Sequence, residues 1–323
     1  MTKINFKNQP TLSPHEVDKT FNERRINLIP AIQDFISNHE LFKNGEVSIT
    51  FLTGGVSSLV TILETKERKV ILKIPLSKTF SQGEGLFLKV WEKAGVKVPR
   101  IVDEGILNEH SYVMYDYVEA KTLGGNYSLE ELIQRKVYFE MGEILRKMHV
   151  PKSNGYGQVR GGRAEYSAFI DWINSPELES KIGYVKENKL LGEDHGSLVD
   201  AFKTLTDLAH KENESSYCHE DFHIYNIFDT KPLTVFDPNP RFNHGYIDIA
   251  RTIFGTVWNG EPEEVRIQLI DGYFKGESYN IKALHSAVLL YSYMKLPYSH
   301  KTNKIENIKN VQDYLLKNRY LMD

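Results

Sequence analysis

Residues 218–240 read CHEDFHIYNIFDTKPLTVFDPNP, with His219, Asp221 and Asn226 spaced as H-x-D-x-x-x-x-N and a second acid, Asp237, closing a β-branched and aromatic run. Residues 226–228 and 233–236 are two short β-type runs separated by Asp, Thr, Lys and Pro, the pattern of a hairpin. A hairpin brings its open ends together, so Asn226 and Asp237 are expected side by side. Asp221 then offers a proton acceptor, and Asn226 with Asp237 offers two oxygen ligands of the kind Mg²⁺ takes. These are the parts that phosphoryl transfer from a nucleotide needs. Singly, each residue also suits an ordinary turn or strand end; spacing, hairpin and second acid together carry the reading.

Working outward, 323 residues exceed one average domain, and an apolar content of 41% supplies sizeable cores. Two lobes are expected, at residues 1–116 and 117–323. A net charge of −3 argues against nucleic acid as a partner. No run approaches the length of a membrane span, and the N-terminus lacks a signal-peptide core, so a cytoplasmic protein is expected. The single cysteine, Cys218, excludes an intrachain disulfide. It adjoins His219, but neighbouring strand residues point to opposite faces, which favours a small buried hydrophobe over a Cys-His nucleophile.

Upstream, residues 13–42 read as one or two helices. Residues 47–52, 59–64 and 69–74 are three Val-, Ile- and Thr-rich runs, the pattern of an antiparallel sheet. Between the first two lie Gly54, Gly55, Ser57 and Ser58, whose backbone N–H groups can approach a polyphosphate, although the same residues suit a plain hairpin turn. Lys73 stands among apolar neighbours in the third run, and Glu84, opening a helix over 84–94, can supply its counter-charge. A strand lysine tied to a helix glutamate is the phosphate-positioning pair of the kinase template. An exposed edge lysine is the plainer alternative. Residues 101–102 and 112–115 read as two more strands. Periodicity is then lost at 116–119, where backbone groups at Tyr115 and Tyr117 are available to a purine edge. From Leu129 onward the chain reads as mostly helical: 129–148, 166–173, 198–209, 245–259, 262–274, 280–296 and 303–321. His149 is expected as a helix C-terminal cap.

With Lys73, Glu84, the Tyr115 segment, the H-x-D-x-x-x-x-N element and Asp237 in this order, the chain resembles the aminoglycoside phosphotransferase family. That family is the small-molecule branch of the protein-kinase-like fold, alongside choline, fructosamine and methylthioribose kinases. The resemblance spans about residues 45–275, and Asp237-Pro238 followed by Gly245-Tyr-Ile-Asp-Ile-Ala250 strengthens it. It implies an α+β, two-lobed fold with a small antiparallel N-lobe and a larger, mainly helical C-lobe. It makes Asp221 the catalytic base, Asn226 and Asp237 the Mg²⁺ ligands, and Lys73 with Glu84 the phosphate-positioning pair. His219 and Asp248 become structural supports of the catalytic loop. Glu220 and Tyr225 stand where the family commonly has glycine, which implies a stiffer loop and a narrower acceptor side.

The activity implied is Mg²⁺-dependent transfer of the γ-phosphate of ATP or GTP to a small hydroxylated substrate, by a monomer or homodimer. A polycationic acceptor calls for an acidic lobe, and residues 119–294 hold 26 Asp and Glu against 19 Lys and Arg. An aminoglycoside-type acceptor therefore leads, with Asp171, Glu261 and Glu264 as candidate contacts. A metabolic kinase of the homoserine, choline, methylthioribose or fructosamine type is the alternative. A non-catalytic nucleotide-binding protein ranks lower, because Lys73, Asp221, Asn226 and Asp237 are all present.

Overall fold

The computed structural model describes residues 2–12, 19–43, 45–53, 57–77, 83–192, 198–212 and 214–321. It divides into two compact units, Met1–Lys89 with Lys97–Ala120 and Arg160–Gly162, and Val90–Val96 with Lys121–Val159 and Arg163–Asp323. The lobe boundary read from sequence, between 116 and 117, lies just ahead of the 120/121 junction. Among the described residues no helix is long and apolar enough to cross a membrane.

The first unit runs β1 (Lys3–Phe6), α1 (Lys19–Asn27), α2 (Ile29–Asn38), β2 (Glu46–Leu52), β3 (Ser58–Glu64), β4 (Lys69–Pro75), the first part of α3 (Glu84–Lys93), β5 (Ile101–Leu107) and β6 (His110–Asp116). Its six-stranded sheet has the order β1-β2-β3-β4-β6-β5 and is antiparallel except where β1 joins β2 in parallel. Strict alternation divides the sheet's side chains between two faces. Leu59 and Leu63, Val70, Leu72 and Ile74, and Met114 pack with Leu28, Ile32 and Ile36 of the helical layer in the main core. Ile71, Val113 and Tyr115 form a smaller cluster with Val60, Ile62, Ile101 and Tyr117 on the other face. Lys73 shares that second face, paired in register with Val60 on one side and Val113 on the other. Every interior residue of β4 is buried, so Lys73 stands on an interior strand and not on an exposed edge.

The second unit holds α4 (Leu129–Gln134), α5 (Val137–His149), β7 (Lys152–Ser153), β8 (Tyr156–Arg160), β9 (Arg163–Tyr166), α6 (Phe169–Ile173), α7 (Pro176–Glu187) and α8 (Leu198–Glu212). There follow β10 (Ser215–Cys218), β11 (Ile227–Phe228), β12 (Thr234–Val235), β13 (Arg241–Asn243), α9 (Gly245–Trp258), α10 (Glu263–Phe274), α11 (Ile281–Lys301) and α12 (Ile305–Lys317). The helix expected over 129–148 is two helices, because Lys136 adopts a left-handed φ of 55° between them. Residues 152–166, 215–218 and 241–243 build a five-stranded sheet, β7-β10-β13-β8-β9, in a region expected to be mainly helical. Its strands are two to five residues long, too short for a period-2 pattern to stand out. The 166–173 helix begins only at Phe169, and α7, capped by Ser175 ahead of Pro176, was not among the expected elements. Glycines bring α5 and α10 together: a Cβ on Gly142 would stand 2.3 Å from the Leu269 carbonyl oxygen, and one on Gly272 would stand 2.0 Å from that of Phe139.

Candidate active site

The site grows from one buried carboxylate. Asp248, in the first turn of α9, is fully buried and accepts the backbone N–H groups of His219 at 2.6 Å and Glu220 at 2.7 Å. His149 Nε2 lies 3.0 Å from the same Asp248 Oδ2, and its Nδ1 is 2.8 Å from the Tyr273 hydroxyl. His149 is thus a buried link between α5, α9 and α10, where the sequence suggested only a helix cap. Burial works to raise the Asp248 carboxyl, but the hydrogen bond to His149 and the loop N–H groups hold it below the usual range. The loop after β10 therefore hangs on an ionised anchor.

His219 continues the scaffold. It is fully buried, and burial keeps its ring below the usual histidine value, hence neutral. Its Nδ1 accepts the Asp221 N–H at 3.3 Å, which leaves Nε2 to donate to the Phe236 carbonyl at 3.1 Å. The Trp91 indole stacks on it at 5.6 Å with planes 2° apart. These contacts leave His219 no proton-transfer role and make it a brace between the loop and the end of the hairpin. Cys218 is fully buried with its thiol 3.4 Å from the Asn243 carbonyl, and burial pushes it well above the ordinary thiol range. No thiolate is available there.

Held this way, Asp221 is half-exposed and meets Asn226. The hairpin forms as expected, Ile227 opposite Val235 and Phe228 opposite Thr234, and the Phe236 N–H donates to the Asn226 carbonyl at 3.1 Å. The Asn226 amide group reaches the Asp221 carbonyl at 2.9 Å, its carboxylate Oδ2 at 3.3 Å and the Asp237 carbonyl at 3.4 Å. Its amide nitrogen faces these acceptors, and no hydrogen bond to its Oδ1 is found among the described residues. The Asn226 side chain thus meets the backbone of Asp237, a residue with φ of 54°, and an amide oxygen with a carboxylate are the donor types that a hard divalent cation takes.

Two side chains the sequence did not single out act on Asp221. Arg251, one turn after Asp248 on α9, donates to Asp221 Oδ1 at 2.6 Å, and His223 Nε2 lies 3.5 Å from Oδ2. Burial works to raise the Asp221 carboxyl, yet the His223 hydrogen bond and the Arg251 charge hold it far below the ordinary range. Glu220 beside it takes a left-handed φ of 54°, a conformation that favours glycine. Its carboxyl is buried, and burial raises it to about 7 against the opposing pull of Arg241. Tyr225 projects over Gly124, where a Cβ would come within 2.5 Å of the ring. The Tyr225 ring fits there because position 124 has no side chain.

A cavity of about 390 Å³ lies beside this loop within the second unit, lined among others by Tyr138, Phe222, His223, Arg251, Trp258 and Glu261. Of the three expected acceptor acids only Glu261 lines it. Asp171 is exposed and accepts from Ser167, because α6 buries Phe169, Trp172 and Ile173 and turns Asp171 outward. Glu264 is exposed in the first turn of α10, whose buried face carries Val265 and Leu269.

In the first unit Lys73 and Glu84, 6% and 9% exposed, pair at 2.5 Å between Nζ and Oε2, as the strand-lysine reading requires. Gly54 and Gly55 lie outside the described residues. The Ser57 carbonyl accepts from Leu76 N–H and the Ser58 carbonyl from Arg25. Tyr115 has strand partners on both sides, Ile71 and Ile101. The Tyr117 N–H donates to the Lys69 carbonyl at 3.1 Å, so that donor is already engaged and not open to a purine.

Solved structures share this fold. A thermostable mutant of aminoglycoside phosphotransferase APH(4)-Ia, in ternary complex with ADP and hygromycin B, is similar with a TM-score of 0.58 at 15% identity, over 84% of this chain and 94% of that one. Spectinomycin phosphotransferase APH(9)-Ia, in complex with ADP and spectinomycin, gives 0.54 at 14%, over 87% and 93%. A Plasmodium vivax ethanolamine kinase gives 0.51 at 14%, over 93% and 89%. No curated protein is similar enough to count as a match. The architecture is thus the two-lobed α+β fold of the protein-kinase-like phosphotransferases. Residues 48–278, well over half of the chain, match the phosphotransferase enzyme family APH, and to that family this protein belongs.

Proposed function

We propose that the chain moves the γ-phosphoryl group of ATP or GTP to a hydroxyl of a small molecule. The observation that carries this reading is the ionised Asp221 carboxylate, half-exposed beside a ligand-sized cavity and within hydrogen-bond reach of Asn226. The neighbours crystallised with ADP, hygromycin B or spectinomycin support both nucleotide use and a hydroxylated acceptor.

In the reaction the acceptor oxygen forms a bond to the γ-phosphorus as the bridging O–P bond breaks, the nucleoside diphosphate leaves, and the hydroxyl proton passes to Asp221. A carboxylate so far below its usual range is a poor base toward a resting alcohol. Its role is to orient the hydroxyl and take the proton late, once bonding to phosphorus has made the oxygen acidic, as a loose transition state allows. In this reading Lys73, paired with Glu84, supplies the positive charge for phosphate oxygens. Asn226 Oδ1 and the Asp237 carboxylate would hold Mg²⁺, which when bound neutralises developing phosphate charge. Replacing Asp221 with Ala is expected to lower acceptor-dependent nucleoside diphosphate release by about 10²- to 10⁴-fold while nucleotide affinity, measured by titration calorimetry, stays nearly unchanged. Turnover at the wild-type rate with an acceptor the native protein uses would remove Asp221 from this role.

The aminoglycoside-type acceptor expected from the acidic count has the named antibiotics of two neighbours in its favour. A non-cationic metabolic acceptor is favoured by a different observation, the cationic lining of the cavity.

A further inference from the structure

Three cationic side chains, Arg251, Lys295 and Lys304, line the cavity beside Asp221, against one carboxyl group, Glu261, among the described residues. Arg251 is engaged by Asp221, which leaves two lysines. Neither makes an ion pair among the described residues. Lys304 Nζ lies 5.5 Å from the Tyr298 ring centre and 5.9 Å from that of Trp258, and Lys295 Nζ lies 5.5 Å from that of Tyr291. Aromatic faces hold ammonium groups in place without neutralising them.

The one carboxyl group on the cavity wall does little to cancel this charge. Burial pushes Glu261 above its ordinary range, and its Oε2 is buried without a hydrogen-bond partner. Two carboxyl groups outside the lining act on Lys295: Glu177, held below its ordinary range chiefly by Lys181, and Glu220, raised by burial to about 7. Burial lowers Lys295 itself to about 8, which leaves it mostly charged at neutrality. Around these groups the walls are aromatic: Tyr138, Phe222, Tyr225 and Trp258. A volume of about 390 Å³ is at the small end of ligand pockets, which run from about 300 to 1,000 Å³.

We propose that the acceptor is a compact hydroxylated anion, its hydroxyl presented to Asp221 and its carboxylate or phosphate group held by Lys295 and Lys304. This inference rests on the phosphotransferase reading and deepens it. A polycation would meet like charge on this wall and lose affinity. A neutral polyol would leave the two ammonium groups without the counter-charge their placement accommodates.

A matched set of six-carbon probes tests the charge alone: gluconate and glucose 6-phosphate as anions, glucitol as the neutral member, glucosamine as the cation, with kanamycin as a polycation. Binding is measured by calorimetry and transfer by Mg²⁺-dependent ADP or GDP release, at fixed ionic strength. At least one anion is expected to bind about tenfold more tightly than glucitol, with kanamycin weakest; whether gluconate or glucose 6-phosphate leads identifies the anionic group. The Lys295→Glu/Lys304→Glu double variant is expected to reverse the order of anion and cation. The milder Lys295→Met/Lys304→Met variant, expected to erase the preference, serves if the double reversal does not fold. Anions that bind without any transfer keep the ligand class and sink the phosphotransferase reading. Transfer to glucitol, glucosamine or kanamycin, with neither anion bound or used, overturns the charge inference and leaves phosphoryl transfer standing. A preference that both variants leave intact also overturns it, as does a set in which nothing binds.

Discussion

At the scale of single residues, the loop after β10 is an arrangement of charges whose protonation states are set by burial and partners. Asp221 is kept ionised against its burial by His223 and Arg251, and the acid limb of kcat/KM is expected well below the ordinary carboxylate range. Removing one cause should move that limb. Arg251→Met is expected to shift the limb of acceptor-dependent turnover to higher pH, read from a pH profile; an unmoved limb would mean that Arg251 does not set the Asp221 titration. Glu220 shows the opposite sign. Its carboxyl is raised from 4.5 to about 7 in the folded chain, so the folded state holds a proton that the unfolded state has released between those values. Stability from this group is full below 4.5 and lost as pH rises through about 7. Glu220→Gln is therefore expected to stabilise the protein at pH 8, by on the order of 1–3 kcal/mol, and to do nothing at pH 4. Denaturant unfolding at the two pH values measures it, and equal effects at both would refute the linkage. Asp221, Asn226 and Asp237 could be read from spacing because one loop and one hairpin join them. Arg251 could not, although it stands one helical turn beyond Asp248, because nothing in a D-I-A-R string says which way the arginine reaches.

At the scale of elements, the two units differ in how plainly their sequences read. The strands of the six-stranded sheet are mostly seven residues long, enough for alternation to declare both faces and to put Lys73 with Ile71. In the second unit, strands of two to five residues borrow their partners from distant positions, Ser216 from Asn243 and Arg241 from Gln158. Such pairing is tertiary and leaves no local period. The α5–α10 contact is likewise invisible in either helix alone, since it depends on two glycines 130 positions apart. Backbone oxygens sit where side chains would begin, and they cannot swing aside as a side chain tip can. Gly272→Ala is expected to destabilise the second unit by about 1–3 kcal/mol or more, seen as a lower thermal midpoint, and a midpoint equal to wild type would show that the helices separate at little cost.

At the scale of the whole molecule, charge has to be placed before it informs function. The net charge is −3, and the stretch over 119–294 is acidic, yet the cavity beside Asp221 is cationic, because Lys295 of α11 and Lys304, just ahead of α12, line it while most of the described acids face solvent. Counting charges along the chain favoured a polycationic acceptor; counting the charges on the cavity wall favours an anion. Ligand binding is also a property of the whole fold. ADP with Mg²⁺ at about 100 times its dissociation constant is expected to add about 2.7 kcal/mol of stability, with a matching rise in the thermal midpoint. Excess EDTA should remove much of that rise if Asn226 and Asp237 hold the metal. A midpoint shift of the same size with and without EDTA would assign nucleotide binding to the protein alone.

What the sequence determined by itself is the set of candidate site residues and its local frame. Asp221, Asn226, Asp237, the strand lysine and its glutamate are each placed by turns, hairpins and alternation acting over a few residues, where backbone geometry leaves few choices. What only the tertiary structure decided is the setting of those residues: the arginine on Asp221, the buried Asp248 beneath the loop, the left-handed glutamate, the short-stranded sheet and the cationic wall. These depend on side chains from remote segments meeting within a few ångströms in a poorly screened interior. There electrostatic effects are set by distance and burial, and neither can be read from order along the chain.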